Sequence, residues 1–570
     1  MASLGAATSV AAQSETGEPV SNWTLDLGDD WVPPILAEPN EFAPTFRALA
    51  AGDWPDDALG QRAHEDLYLD NYGIPPTLTL LRQRMRAMTT LPCIDALDME
   101  GMVSFAGLDI DEDEQRAPVM ASDEALEASI NALIVRYDVS SIEDVRARAS
   151  RRELRDLERW LSESRWRRGL EAVRERLHCL GDLEAPIPTR HDLDARTRRG
   201  LELFERRHRI RSRGNLSGAT LRALRVPPRE LARRDLVRVL VERIRLDQGI
   251  LADGTGDAPN LDEALTEHVT AQLGIDTFER ALAFLEGLGD LSGHRPREIA
   301  TIELPPYQYV SDLDIEIVID RGDVWFDPPF HEDGTRRVLP VERRPTLTLY
   351  AIHEGQRIVV VRWPTTIGGW HPELVRGGTE WRYKESPAGE FAWERVIAAP
   401  VWLPPPSTPP ADLVTQRRID EEGNVEEEIR ATLLGPGYAS AYGLVVANHR
   451  RATRTASGAI RLGADDGIRT HGSVDYTSVW RRASHGCHRL ENHRALALFT
   501  FVLKHRPYTE EGHARVRFSR NVRTSQRTLS LRIDRGGYGF ALARPVPVRV
   551  LPGRILGELR EPPTEGIPIR

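Results

Sequence analysis

Apolar positions along this chain follow two periods, and the change falls near residue 300. Between about 77 and 300 the spacing is helical: Leu154, Leu157 and Leu161 recur three and four residues apart, with charged residues opposite. Val173, Leu177 and Leu180 form a similar face, and Gly181 follows where a helix stops. A second helix is predicted to begin near Asp194 and bury Leu201 and Phe204. After Gly214 a third, short one runs through Thr220, Leu221 and Leu224. From about 301 the period shortens. Thr346–Ile352 and Arg357–Val361, joined through His353-Glu354-Gly355-Gln356, read as a β-hairpin. Asn492 is placed to cap a helix whose Leu496, Phe499 and Leu503 share a buried face, ending before Pro507.

These periods predict a multidomain α+β chain, a mostly helical N-terminal half followed by a mainly β domain. At 570 residues it is too long for one core. Residues 1–60, rich in Pro, Gly and acidic residues, are expected to form a poorly ordered leader. A helical region spans 61–171, a three-helix module 172–226, and a helical connector 227–300. The β domain is assigned to 301–506. Within it, Pro-rich Leu403–Pro410 and acidic Asp420–Glu428 suggest an excursion over 403–435, a possible lid. Residues 507–570, with strand-like Thr528–Ile533 and Pro545–Leu551, are assigned to a C-terminal β appendage, the alternative being last strands of the same domain.

Charge and composition narrow the function. A net charge of −11 argues against a nucleic-acid partner, and the Arg-rich stretches are interleaved with Glu, as on solvated helix faces. No apolar run reaches the roughly eighteen residues of a membrane-spanning helix. Met1–Thr16 has neither the basic start nor the apolar core of a secretory signal, so the export route is not legible there. The three cysteines, Cys93, Cys179 and Cys487, are far apart and form no CxxC ligand set, although one pair can bridge in an oxidising compartment. Cys93 and Cys179 are expected as small core residues.

Cys487 has a different setting. Around it stand Ile468-Arg469-Thr470-His471-Gly472-Ser473 and Arg481-Arg482-Ala483-Ser484-His485-Gly486-Cys487-His488-Arg489-Leu490. Such a polar environment suits a nucleophile better than a buried structural thiol. Lowering a thiol from about 8.5 to about 7 stabilises its thiolate by roughly 2 kcal/mol, which a proton-accepting histidine supplies. His471 and His485 are both available. A tight turn at Gly486 can aim the amides of Gly486 and Cys487 at one point, as an oxyanion requires. Arg489 offers a planar cation for a substrate carboxylate. A zinc site from His485, Cys487, His488 and His493 matches no standard spacing, so no metal is expected. His488 and His493 are expected as solvated or hydrogen-bonded loop residues.

The paired motifs, with the opening hairpin, Ser386-Pro387-Ala388-Gly389-Glu390-Phe391 and Tyr442-Gly443, resemble the L,D-transpeptidase (YkuD-type) catalytic domain over about 343–506. The resemblance implies a β-sandwich-like domain that needs no metal, nucleotide or other cofactor. It implies Cys487 as the acyl-accepting nucleophile, His471 as base and Gly472 as the carbonyl that orients it. Ser484, His485, Gly486 and Arg489 would shape the site, with Tyr442 beside Arg489 on the substrate. The implied partners are peptidoglycan stem peptides, donor and acceptor, in the periplasm or cell wall. The implied reaction is L,D-transpeptidation through a thioester; water as acceptor would make an L,D-carboxypeptidase, and a silent site a wall-binding protein. Departures are His488 and Thr470 at usually apolar positions and an insertion over about 449–466. Residues 172–226 resemble a small peptidoglycan-binding module through Gly200–His208, Gly214 and Thr220, without its glycine-rich turn.

Overall fold

The computed structural model describes residues 11–13, 19–37, 73–105, 124–189, 192–211, 214–331, 333–375, 378–418, 425–435, 440–456 and 458–558. The chain divides into two compact units, one of 81–235 with 277–282, the other of 1–80, 236–276 and 283–570.

The first unit is helical. Helix α1 (Arg151–Cys179) starts on a capping box in which Ser150 and Glu153 satisfy each other's backbone amides. It stops where predicted, with Leu180 as C-cap and Gly181 at φ +81°. Helix α2 (Ala195–Arg207) begins on Asp194, whose carboxylate accepts the amides of Arg196 and Thr197. Helix α3 (Gly218–Leu224) follows a Ser217 cap. Val173, Leu177, Leu201, Phe204, Leu216 and Leu224 close around one another, each fully buried. Cys93 and Cys179 are joined in a disulfide and are only partly buried, so they are the pair that bridges and not the small core residues expected. A separation of 86 residues hid that pairing from the sequence.

In the second unit, nine strands form one curled mixed sheet, the β-sandwich-like body expected. They are β1 (Asp314–Asp320), β2 (Thr346–His353), β3 (Gln356–Pro364), β4 (Gly389–Ala398), β5 (Val445–Arg454), β6 (Ile460–Ser473), β7 (His488–Glu491), β8 (Tyr508–Arg523) and β9 (Thr528–Leu551). The order is β7-β6-β5-β4-β9-β1-β2-β3, with β8 on β9. Neighbours are antiparallel except β6/β7 and β9/β1. Glu354 and Gly355, both at positive φ, close β2–β3 as a two-residue turn. The insertion expected over 449–466 is the outer half of the β5–β6 hairpin.

Helix α4 (Asn492–His505) packs Leu496, Phe499 and Val502 inward, and Phe499 meets Trp393 of β4 with ring centroids 5.2 Å apart. Glu491, not Asn492, precedes the first turn. The Asn492 amide oxygen instead accepts the Leu444 amide at 3.2 Å, so the side chain faces inward to the sheet rather than back along its own helix.

Two further expectations change. Part of the leader is ordered: Pro19–Asp26 pairs antiparallel with Pro296–Glu303, burying Trp23, Leu25 and Leu27 on a two-residue period that the Pro and Gly content obscured. Residues 38–72 lie outside the described residues. The tail is no appendage, because β9 is an inner strand between β4 and β1. The described part of 403–435 packs Leu413 and Leu434 against Val522 and Leu531 of the tail hairpin, and Arg520 donates to the Pro405 carbonyl at 2.7 Å.

Candidate active site

The site is built where β6 and β7 run side by side. In this parallel pair Thr470 is opposite His488 and His471 opposite Arg489. Side chains alternate across a strand, so His471 and Arg489 share one face. Cys487 ends the turn that leads into β7, and its thiol takes a hydrogen bond from the Arg469 amide, two residues before His471 on β6. At ideal strand spacings, one strand step and two residues put the Cys487 backbone about 8 Å from that of His471.

His471 is buried. Its Nδ1 is 2.6 Å from the Gly472 carbonyl oxygen, which can only accept. Nδ1 therefore carries the proton and Nε2 presents a bare lone pair. Gly472 has no room for a side chain, since Asn492 Oδ1 occupies the place a Cβ would take. The Tyr442 ring sits edge-on to His471, centroids 5.0 Å apart.

Burial sets the resting charges. It pushes the Cys487 thiol above its ordinary range, against an Arg469 amide hydrogen bond and the guanidiniums of Arg489 and Arg469. Burial, with the nearby Arg489 charge, pushes His471 down to about 3 despite the Gly472 carbonyl. The resting pair is thus a thiol and a neutral imidazole, not the standing thiolate expected from residue types alone.

The turn from Ser484 to Cys487 is pegged from several directions. Ser484 Oγ takes the Gly486 amide at 3.1 Å and donates to the Cys487 carbonyl at 2.5 Å. Thr366 Oγ1 donates to the same carbonyl at 2.7 Å, and Ser386 Oγ to the Gly486 carbonyl at 2.7 Å. Gly486 is at φ +109°, with the Glu385 carbonyl where a Cβ would point. Its amide is consumed by Ser484, so the expected pair of converging amides reduces to that of Cys487, which makes no hydrogen bond to another described residue. Arg489 is half-buried, and its Nε, itself buried, has no hydrogen-bond partner among the described residues.

The structure adds residues the sequence reading missed. Thr365 and Thr366 are fully buried, and Thr365 Oγ1 donates to the Arg489 carbonyl at 2.9 Å. His371, on a hairpin of Trp370–Val375 and Gly378–Tyr383, reaches the Ser484 carbonyl with Nε2 at 2.8 Å and stacks on His485, centroids 4.0 Å apart. Ser386 lay within a quoted motif; the others carried no local signal. His488 is no loop residue: it is fully buried on β7, with Nδ1 2.9 Å from the Thr366 carbonyl. The two unusual polar positions, Thr470 and His488, face each other across the strands, and His449 bonds Thr470 Oγ1 at 2.8 Å with its ring tilted toward His488. His493 lies 3.3 Å from the Tyr476 hydroxyl.

Residues 341–517 match the family model of the YkuD L,D-transpeptidase catalytic domain. The match spans the opening hairpin, the pegged turn and both motif strands, and residues 172–226 lie outside it. No curated protein and no solved structure matches the chain.

Proposed function

We propose that residues 341–517, a YkuD-type L,D-transpeptidase catalytic domain, act on peptidoglycan stem peptides through a thioester on Cys487. The observation that carries this reading is the fixed tautomer of His471, whose bare Nε2 stands on β6 while the Cys487 thiol sits against the Arg469 amide two residues earlier on that strand. With a neutral pair at rest, proton transfer accompanies attack: Nε2 takes the thiol proton as Sγ bonds to the carbonyl carbon of the third stem residue. The imidazolium, disfavoured by its burial, returns the proton to the departing amine as the C–N bond breaks. An acceptor amine then loses a proton to Nε2, attacks the thioester and frees the thiol. The unpaired Cys487 amide is the oxyanion donor, a contact typically worth about 3 kcal/mol. Arg489, with Nε unpaired, suits a stem carboxylate. Ser484 and Gly486 hold the turn that presents the sulfur, while His485 walls its side and Tyr442 flanks the base.

The disulfide supports a place in the periplasm or cell wall, where thiols oxidise and the substrate lies. The three-helix module over 172–226 would then serve to hold the wall. Mass spectrometry after exposure to a carbapenem tests the chemistry: the wild-type chain gains one adduct, and Cys487→Ala gains none while keeping its circular dichroism. An undiminished adduct in that variant overturns the assignment. With donor and acceptor muropeptides, a cross-linked dimer marks transfer, and a shortened stem alone marks carboxypeptidase action.

A further inference from the structure

Three of the four carbonyls in the Ser484–Cys487 turn are held by side chains. Gly486 is held by Ser386, Cys487 by Thr366 and Ser484, and the carbonyl of Ser484 by His371. His371 differs from the other pegs in its origin. It stands on the Trp370–Tyr383 hairpin, between the Thr365–Gly368 segment and the Ser386 motif, and outside the nine-stranded sheet. Trp370 and Tyr383 lie edge to face, Tyr383 meets Phe326, and Trp370 Nε1 donates to the Phe326 carbonyl at 3.0 Å. Lys384, just past the hairpin, reaches back to Glu373 in an ion pair of 2.6 Å. The hairpin is therefore a braced support, and His371 is the residue it extends to the nucleophile's turn.

Two contacts define what that residue does. The Ser484 oxygen is an acceptor, so His371 Nε2 carries a proton and donates it. The His371 ring also lies almost parallel to that of His485, at 23°, which restricts the rotamer of the residue two before Cys487. One contact fixes the backbone of the turn and the other fixes its side chain.

We propose that His371 is a positioning residue for the thioester chemistry: its hairpin holds the Ser484–Cys487 turn so that Sγ and the Cys487 amide meet the substrate carbonyl together. The inference rests on the reading of Cys487 as nucleophile. Misplacement of a reacting group by about 1 Å costs on the order of 100-fold in rate, so a loosened turn registers in the acylation step more than in binding.

The test compares wild type, His371→Phe and His371→Gln in full-length chain. Phenylalanine keeps a flat ring but has no donor; glutamine places an amide NH near the position of Nε2 but has no ring. Carbapenem acylation is resolved into its maximal rate and its half-saturating concentration. We expect His371→Phe to lose about 10- to 100-fold in the maximal rate with less than about a 3-fold change in half-saturation. His371→Gln should recover to within about 5-fold of wild type, the scale of one imperfect hydrogen bond. A Phe variant acylating at the wild-type rate overturns the proposal. So does an equal loss in both variants that tracks a fall in melting temperature, which marks a merely structural residue. Alkylation of Cys487 by iodoacetamide separates this inference from the reading beneath it. A wild-type chain that is alkylated but refuses the carbapenem discredits the reading, whereas a loss of carbapenem acylation in His371→Phe matched by an equal loss of alkylation discredits the positioning role.

Discussion

At the scale of single residues, the decisive quantity is the charge on two side chains. Residue types suggest an ion pair of thiolate and imidazolium, yet burial acts on both partners in the opposite sense, raising the thiol and lowering His471 to about 3. The sign of the pH response follows. Alkylation tracks the thiolate fraction, so its rate should climb about tenfold per pH unit from pH 6 to 8, with no plateau. His471, neutral above about pH 4, should add no inflection near 6.5. A stopped-flow profile with iodoacetamide checks this, and a plateau beginning below pH 7 would restore the ion pair. The candidate nucleophile and base were legible because they sit in short motifs whose residue types are unusual together. The pegs were not. Thr365, Thr366 and His371 are more than a hundred residues from Cys487 in sequence, and only the pairing of strands brings their hydroxyl and imidazole groups to its turn.

At the scale of elements, local signals succeeded where a boundary is a local event. Gly181 ends α1 and Asp194 starts α2 because a left-handed residue and a capping carboxylate act on their own neighbourhood. They failed where the outcome depends on sheet order. Nothing within Pro545–Leu551 states that it inserts between β4 and β1, and so the last long strand read as an appendage. Its inner position makes a strong prediction. Val546, Val548 and Val550 are buried on β9, and three such side chains contribute roughly 5–9 kcal/mol, comparable to the 5–15 kcal/mol that holds a whole domain. A chain ending at Arg506 also loses the partner of two neighbours, leaving β4 and β1 as open edges. Such a chain should be insoluble or melt without cooperativity and form no carbapenem adduct. A sharp thermal transition equal to that of the full chain would return the tail to the status of an appendage. The same logic explains the unusual polar pair on the motif strands: Thr470 and His488 are tolerated because register sets them opposite one another and His449 binds between.

At the scale of the whole molecule, the cysteines connect fold, chemistry and location. Cys487 must stay reduced to react, while Cys93 and Cys179 are bonded across 86 residues of the helical unit. A loop of that length contributes roughly 4–5 kcal/mol in the chain-entropy account of disulfide stabilisation, a large part of one unit's margin. Such a bond persists in an oxidising compartment and is removed by the thiol buffers of the cytosol. Peptidoglycan lies outside the cytoplasmic membrane, so the compartment that holds the proposed substrate also preserves the bond. Among the described residues no helix is long and apolar enough to cross a membrane. Thiol titration in denaturant decides the matter. Chain recovered from an oxidising compartment should show one reactive thiol, rising to three after reduction, and reduction should lower the melting temperature of the helical unit. Three thiols before reduction would break the link between the disulfide and the wall, and would turn the search for this protein toward the cytosol.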